Sequence, residues 1–351
     1  MEVAIYGTGV FGKLFYQALG SQINFFIDDF SNEFKCFNKK IHRIDTIQKN
    51  TKIYISILQH SAKIEKYLQK NGFTNIINFT NSIKTIPDIL KLISKQNYLW
   101  LIENRSKMIN EKQLALVTNL LKDDKSKDIL QRIILLRKTF DTQYYIEPEG
   151  IEYFPTDVPI FKNLDTVHFI DCGAYNGDTI TELLIQAPHV SQTISFEPDK
   201  TNFEMLKKQI ALLKVNHPNT SFLLYPSGLF SKNTILKFSN NGINSSATID
   251  NSSTVDISVV TIDSVLLNSH PNFIKMDIEG AEKEAILGSI QTIKKYKPNL
   301  AICLYHKAED LWELPLLIHK IESSYDMYLR VHEDLCLSTV LYCIAKENKN
   351  L

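Results

Sequence analysis

The chain has no CxxC pair, no surplus charge of either sign and no apolar run of membrane length. Its five cysteines (Cys36, Cys172, Cys303, Cys336 and Cys343) are odd in number and widely spaced. That pattern suggests neither a disulfide framework nor a zinc site, and a reducing compartment fits it best. Basic and acidic residues number 39 each, so no global field draws the chain to nucleic acid or to an anionic membrane. No uninterrupted apolar stretch approaches the roughly 20 residues of a membrane helix. MEVAIYGTG begins on a strand, without the basic-then-apolar order of a secretory leader. The expected setting is cytoplasmic, with no nucleic-acid partner and no stable membrane insertion. What is present, 44% hydrophobic and 22% charged residues over 351 positions, suffices for ordinary globular cores and about two domains.

Three regions differ in pattern. Residues 1–80 alternate short apolar runs (3–6, 23–27, 52–57, 75–79) with helical spacing at 13–19 and 61–70, the mark of parallel strands with crossover helices. Residues 81–150 turn to period-3.6 spacing rich in Leu, Ile and Lys, read as a helical connector in which Pro87 starts a helix. The stretch KDDKSKD within it is expected to break the helix rather than bind anything. Residues 151–351 resume the alternation, with strands expected at 167–172, 193–197, 221–225, 273–277 and 299–305, a helix at 311–321, and a closing strand pair at 326–331 and 339–345. About seven strands with intervening helices form a twisted sheet covered on both faces. The fold class expected is α/β throughout: a seven-stranded, mostly parallel Rossmann-like domain preceded by a small Rossmann-like domain and the connector.

Two glycine turns carry the chemistry. Gly7, Gly9, Val10, Phe11 and Gly12 lie in GTGVFG, a GxGxxG between strand and helix, and Asp28 ends the next strand. Glycines there permit a tight turn and close approach to phosphate at a helix N-terminus, and the acid suits ribose hydroxyls. NAD(P) or a nucleotide-sugar is the ligand expected, against a half-Rossmann unit whose glycines serve packing alone. The unit is short for a full dehydrogenase, and no Tyr-xxx-Lys pair stands beside it.

The second turn, DCGAYNG at 171–177, begins on a carboxylate, Asp171, followed by Gly173, Ala174 and Gly177, with Asp178 or Thr179 as helix cap. A carboxylate in first place suits a cationic ligand such as the ammonium and sulfonium of S-adenosylmethionine better than a pyrophosphate. Glu197 ends the following strand in SFEPD, and Asp277 ends the fourth in KMDIEGAE. That strand edge is where open α/β sheets bind ligands.

VHFIDCGAYNGDT, ISFEPDK, VVTIDSVL, FIKMDIEGAEKEAILG and YLRVHEDLCLSTVLYCI together resemble the FkbM family of S-adenosylmethionine-dependent methyltransferases over residues 152–345, with IEYFP as a weaker echo. The resemblance implies a class I methyltransferase fold and O-methylation of a sugar or other natural-product hydroxyl, as in surface-polysaccharide or glycan biosynthesis. By position it implies that Asp171, Gly173 and Gly177 line the methionine side of the cofactor, Glu197 binds ribose, Ser227 and Gly228 lie near adenine, and Asp277 lies near the transferred methyl. The tail departs from the family, with Leu337-Ser338-Thr339 where a Glu-Thr pair is more typical.

A sugar hydroxyl is a weak nucleophile at neutral pH, so a base or a metal should assist it. His306 is the first candidate base and Asp277 the second; no tight carboxylate/histidine spacing announces a metal. Asn244, Ser245 and Ser246 are candidate acceptor contacts, and Tyr305 with Trp312 a candidate sugar-stacking wall. The expected partner is a small-molecule or glycan acceptor, nucleotide-linked in one reading. Two further readings stand beside the methyltransferase: a non-catalytic nucleotide-binding scaffold, and a bifunctional enzyme with NAD chemistry in residues 1–80. The oligomeric state is not fixed by the sequence.

Overall fold

The computed structural model describes residues 1–58, 61–96, 100–101, 107–238, 255–266 and 269–346. The chain divides into two compact units. The first comprises Met1–Met108, Gln131–Pro148 and Glu333–Leu337; the second comprises Ile109–Leu130, Glu149–His332 and Ser338–Leu351.

In the first unit, β1 (Val3–Tyr6), α1 (Val10–Leu19), β2 (Phe25–Ile27), β3 (Lys35–Cys36), β4 (Lys39–His42), β5 (Lys52–Ile55), α2 (Ser61–Lys70) and β6 (Ile76–Ile77) precede α3 (Phe79–Thr85) and α4 (Asp88–Ser94). Six strands form one sheet in the order β3-β4-β2-β1-β5-β6, parallel except for the β3–β4 pair. Its core is apolar: Ala4, Phe25, Ile27, Ile53, Ile55, Leu68 and Phe73 cluster out of water, each large side chain contributing about 1.5–3 kcal/mol. Later residues complete the unit. The Tyr145 hydroxyl donates to Asp334 Oδ1 at 2.9 Å and accepts from the Leu335 N–H at 2.9 Å, while Trp100 Nε1 donates to the Leu335 carbonyl at 3.0 Å.

The second unit opens with α5 (Glu111–Leu120) and the start of α6 (Asp124–Thr139). The KDDKSKD stretch interrupts the helix as expected, between Leu120 and Asp124, and its later residues start α6. Asp123 Oδ1 accepts from the Ser126 N–H at 2.9 Å, an N-terminal cap, and its other oxygen meets the buried Arg330 at 2.7 Å. A cluster of charges thus starts a helix and holds a cation, since Arg330 lies far away in sequence and its approach cannot be read locally.

The main sheet follows from β7 (Val167–Cys172), α7 (Asp178–Gln186), β8 (Val190–Phe196), α8 (Lys200–Asn216) and β9 (Ser221–Tyr225). Then come β10 (Gly228–Leu229), β11 (Thr234–Phe238), β12 (Val255–Val260) and α9 (Ile262–Val265), with β13 (Phe273–Met276), α10 (Glu282–Leu287), α11 (Ile290–Tyr296), β14 (Asn299–Cys303), α12 (Asp310–Ile321), β15 (Asp326–Val331) and β16 (Thr339–Ile344). Seven strands run in the order β15-β16-β14-β13-β7-β8-β9. All are parallel except β16, which is antiparallel to both β14 and β15. Strand order reverses direction between β7 and β13, and the carboxyl ends there are where such sheets take ligands. Phe169, Phe273, Ala301 and Tyr342 pack in one apolar cluster against the sheet, and Ile180, Leu206 and Ile210 in a second. The small sheet β10-β12-β11 is unanticipated; β12 alternates weakly between exposed and buried positions, so its period is faint.

Candidate active site

Backbone contacts draw the ends of β7, β8 and β13 together. The Gly173 and Ala174 N–H groups both donate to the Phe196 carbonyl at 3.0 Å, and the Asp277 N–H donates to the Cys172 carbonyl at 3.1 Å. Gly173 is required twice over: its φ is +83°, and a Cβ there would stand 1.9 Å from the Asp277 carbonyl oxygen. Gly177, at φ +89°, caps α7 in place of Asp178 or Thr179, which become the first helical residues. Only glycine enters that left-handed cap without strain, whereas Asp178 turns its carboxylate to the Thr179 N–H at 2.8 Å. Ala174 and Thr179 are buried beside the turn.

Asp171 is fully buried, and its cationic partner belongs to the chain itself. Lys275 Nζ donates to Asp171 Oδ1 at 3.0 Å and to the Gly173 carbonyl at 2.7 Å, and it lies 5.1 Å from the centre of the Tyr153 ring. Asp171 Oδ2 has no hydrogen-bond partner. Burial raises the Asp171 carboxyl to about 6 despite Lys275. Burial also opposes the Lys275 ammonium, but Asp171 and Asp277 outweigh it and keep the proton on. Lys275 is a residue that sequence reasoning quoted without a role. The available signal was its spacing: residues 275 and 277, two apart at a strand end, share a face.

Asp277 stands in a ring of donors. The Tyr153 hydroxyl donates to its Oδ2 at 2.7 Å and the Tyr305 hydroxyl to its Oδ1 at 3.1 Å. His306 Nε2 lies 3.3 Å from Asp277 Oδ1 and 3.4 Å from Glu279 Oε2, and Nδ1 lies 3.0 Å from Glu282 Oε1. These are ion-pair separations, yet neither ring nitrogen is aligned for a hydrogen bond. Burial works against an imidazolium, but Glu282, then Glu279 and Asp277, raise His306 well above the ordinary histidine value. Burial likewise opposes the Asp277 carboxylate, while His306, Lys275 and the two tyrosine hydroxyls hold its carboxyl below the usual range. Among the described residues, two groups have metal-ligand spacing and share Asp277: Glu152–Asp277–Cys303 and Asp277–Glu282–His306. Trp312 is buried in α12, and Tyr305 packs against His306 with ring centres 4.1 Å apart. Glu152 binds the Ser338 hydroxyl, in the tail segment that departs from the family pattern.

Glu197 is 6% exposed and bridges two loops: Oε2 accepts from the Tyr175 N–H at 2.9 Å and Oε1 from the Asp199 N–H at 2.8 Å. Ser227 is buried with its hydroxyl unpaired, and Gly228 begins β10 beside it. Asn244, Ser245 and Ser246 lie outside the described residues.

In the first unit, Gly7 (φ +104°) and Gly12 are close-packed, since a Cβ on Gly12 would lie 2.2 Å from the Gly7 carbonyl oxygen. A Cβ on Gly9 would meet nothing within 4 Å. With Val10 and Phe11 these glycines line a cavity of about 260 Å3. Asp28 is engaged by the protein: its carboxylate accepts from the Thr8 N–H and hydroxyl and from the N–H groups of Phe30 and Ser31. A larger cavity of about 560 Å3 is lined by Tyr6, Asp29, Arg43, Asp45 and Tyr67.

The doubly wound sheet of the second unit, with acids and a glycine turn at its switch point, has the layout of a methyltransferase fold. Residues 171–330 match the model of the methyltransferase FkbM domain, the family that this segment is similar to. The crystal structure of methyltransferase FkbM from Methylobacillus flagellatus KT is similar over 98% of this chain and 90% of that one, at 21% identity and a TM-score of 0.64. An rRNA methylase from Streptococcus thermophilus aligns over 52% of this chain and 87% of its own, with 12% identity and a TM-score of 0.32. A precorrin-6y C5,15-methyltransferase from Geobacter metallireducens GS-15 aligns over 57% and 94%, with 10% identity and a TM-score of 0.33. No curated protein matches the chain. No helix among the described residues is long and apolar enough to cross a membrane.

Proposed function

We propose that the second unit transfers a methyl group from S-adenosylmethionine to a hydroxyl oxygen of a sugar or related natural product, in glycan biosynthesis. The observation carrying this reading is the convergence of the Asp171–Gly177 turn, Glu197 and Asp277 at one sheet edge, where two buried polar atoms, Asp171 Oδ2 and Ser227 Oγ, have no partner. Those orphaned atoms fit a ligand that brings donors and acceptors of its own, because leaving them unmade costs about 1–3 kcal/mol each. The donor supplies an activated methyl on a cationic sulfur. The chain's part is then alignment and exclusion of water.

On this reading Gly173 and Gly177 let the backbone approach the methionine end, Glu197 uses its remaining lone pairs for ribose, and Ser227 with Gly228 flanks adenine. Of the two groups nominated to take the acceptor proton, Asp277 is the accessible one, its side chain 23% exposed against 0% for His306. His306 then steadies the charge on Asp277.

Calorimetry with S-adenosylhomocysteine tests the site. Asp171→Ala and Glu197→Ala are expected to weaken binding at least about tenfold, the scale of one lost charge-assisted contact. Saturable binding that survives both substitutions overturns the assignment. Lys275 in the place of a ligand cation supports a second reading, a scaffold that no longer turns over. Labelled methyl donor incubated with cell extract separates the two, because a scaffold labels nothing. For the first unit, open space at Gly9 supports a phosphate-bearing ligand such as a nucleotide-sugar or NAD(P), with ribose held by a group other than Asp28.

A further inference from the structure

We propose that the first unit carries a saccharide-binding site, in which Asp29, Arg43, Asp45 and Tyr67 hold a sugar ring of a neutral glycan. That the glycan is the one methylated by the second unit rests on the reading above. The site is the larger cavity of the first unit, about 560 Å3, and every lining residue belongs to Met1–Met108. Tyr6 ends β1, Asp29 lies just past β2 and Arg43 just past β4. These strands are parallel, so the three residues gather at the edge where open α/β sheets take ligands. Tyr67 comes from α2, and Phe30, Ile44 and Asp45 complete the lining. The volume lies within the roughly 300–1,000 Å3 of small-molecule sites.

The polar groups are fixed in place and keep capacity to spare. Asp29 Oδ2 accepts from the buried Tyr6 hydroxyl and Oδ1 from the Ile44 N–H, both at 2.9 Å. A carboxylate offers about four acceptor positions, so roughly half of those on Asp29 remain for a ligand. Neighbouring Asp28 has no such reserve, since the Thr8 N–H and hydroxyl and the Phe30 and Ser31 N–H groups fill it. Arg43 donates to the Asp28 and Ser31 carbonyls at 3.1 and 3.2 Å and meets no carboxylate among the described residues. Its remaining N–H groups are free to donate. A rigid carboxylate beside a guanidinium matches neighbouring sugar hydroxyls, each of which both donates and accepts.

The aromatic groups supply the rest. Tyr67 is 46% exposed and Phe30 91%, so two flat apolar faces stand open at the rim. A sugar ring carries C–H groups on one face and can cover such a surface while its hydroxyls turn to the acids. Charge selects against an anion: two carboxylates against one guanidinium leave the lining net negative, which disfavours a diphosphate. The glycine turn, at the N-terminus of α1, is the better place for phosphate.

The test is saturation-transfer NMR of the full chain with oligosaccharides of glucose, mannose, rhamnose and N-acetylglucosamine. Uridine and adenosine diphosphate are measured in parallel, beside calorimetry with S-adenosylhomocysteine. At least one saccharide is expected to bind. Asp29→Asn and Asp45→Asn should weaken it about tenfold, the scale of one charge-assisted hydrogen bond, and Tyr67→Ala about fivefold. Asp45 and Tyr67 are exposed, so their variants report on the site even if Asp29→Asn fails to fold. No saccharide binding, or binding unchanged in Asp45→Asn and Tyr67→Ala, overturns the site while leaving the methyl-transfer reading intact. Diphosphate binding lost in those variants, with no saccharide bound, overturns it too and gives the cavity to a nucleotide. Saccharide bound here without S-adenosylhomocysteine binding sinks the methyl-transfer reading instead and keeps the site.

Discussion

The two glycine turns of this chain are built alike and equipped differently. Each follows the first strand of a parallel sheet, and in each the acid ending the next strand reaches back to the turn: Asp28 accepts from the Thr8 N–H, Glu197 from the Tyr175 N–H. In both, a glycine is packed against backbone, Gly12 on the Gly7 carbonyl and Gly173 on the Asp277 carbonyl. The strand on the other side makes the difference. Beside the first turn it brings Ser56, whose hydroxyl is satisfied by the Tyr6 carbonyl at 2.8 Å. Beside the second it brings Lys275 and Asp277, and with them a buried ion pair, an unpaired carboxylate oxygen and the His306 cluster. Turn glycines and strand-end acids are thus parts of the fold's hinge in both units. Chemistry enters with what the neighbouring strand contributes.

The sharpest way to break this comparison is at the glycines. Gly173→Ala puts a methyl into the Asp277 carbonyl at a left-handed φ and is expected to cost more than about 4 kcal/mol in chemical denaturation of the full chain. Gly9→Ala, with φ −66° and open space, should stay within about 1 kcal/mol of the parent. Equal costs would mean that the two turns are not used differently.

Next in size is Lys275→Met, which leaves Asp171 buried without its cation. A loss of about 3 kcal/mol is expected, and Asp171→Asn in the same chain should restore part of it. A stable single variant would show that Asp171 has another partner.

The smallest effect concerns His332 in the second unit. Burial lowers its pKa to about 4, and its ring meets the Glu149 carbonyl at 2.7 Å and the Tyr342 hydroxyl at 2.8 Å. Between about 4 and its unfolded value of about 6.5 the unfolded chain binds the extra proton, so this group's contribution is full above that window and is lost as pH falls through it. The full shift corresponds to roughly 3 kcal/mol, reduced to about 2 by the ring's partial exposure. Burial raises the carboxyls of Asp171 and Glu197, which act in the opposite sense. The measurement is therefore the difference in unfolding free energy between the parent and His332→Gln at pH 4.5 and pH 7. A difference that does not change with pH would place the proton elsewhere.

Much of the scaffold was legible in local pattern. Val3–Tyr6, Ser61–Lys70, Val167–Cys172, Ser221–Tyr225 and Asp326–Val331 fall where alternation and apolar runs put them. The misses were short or edge elements, β3, β4, β10, β11 and β12, whose few residues carry no clear period. The first unit's later segments also escaped, because Trp100, Tyr145 and Leu335 are joined by hydrogen bonds that no window of sequence contains.

The order of strands and helices, the glycines at their turns and the acids at strand ends belong to the sequence itself, because backbone sterics and side-chain period act over a few residues. Which charge meets which was decided by the tertiary structure. Asp171 with Lys275, Glu282 with His306, and Asp123 with Arg330 are paired across 104, 24 and 207 positions. Such pairs form only when strand order and register bring distant ends to the same edge, where burial away from water makes each charge depend on its neighbour.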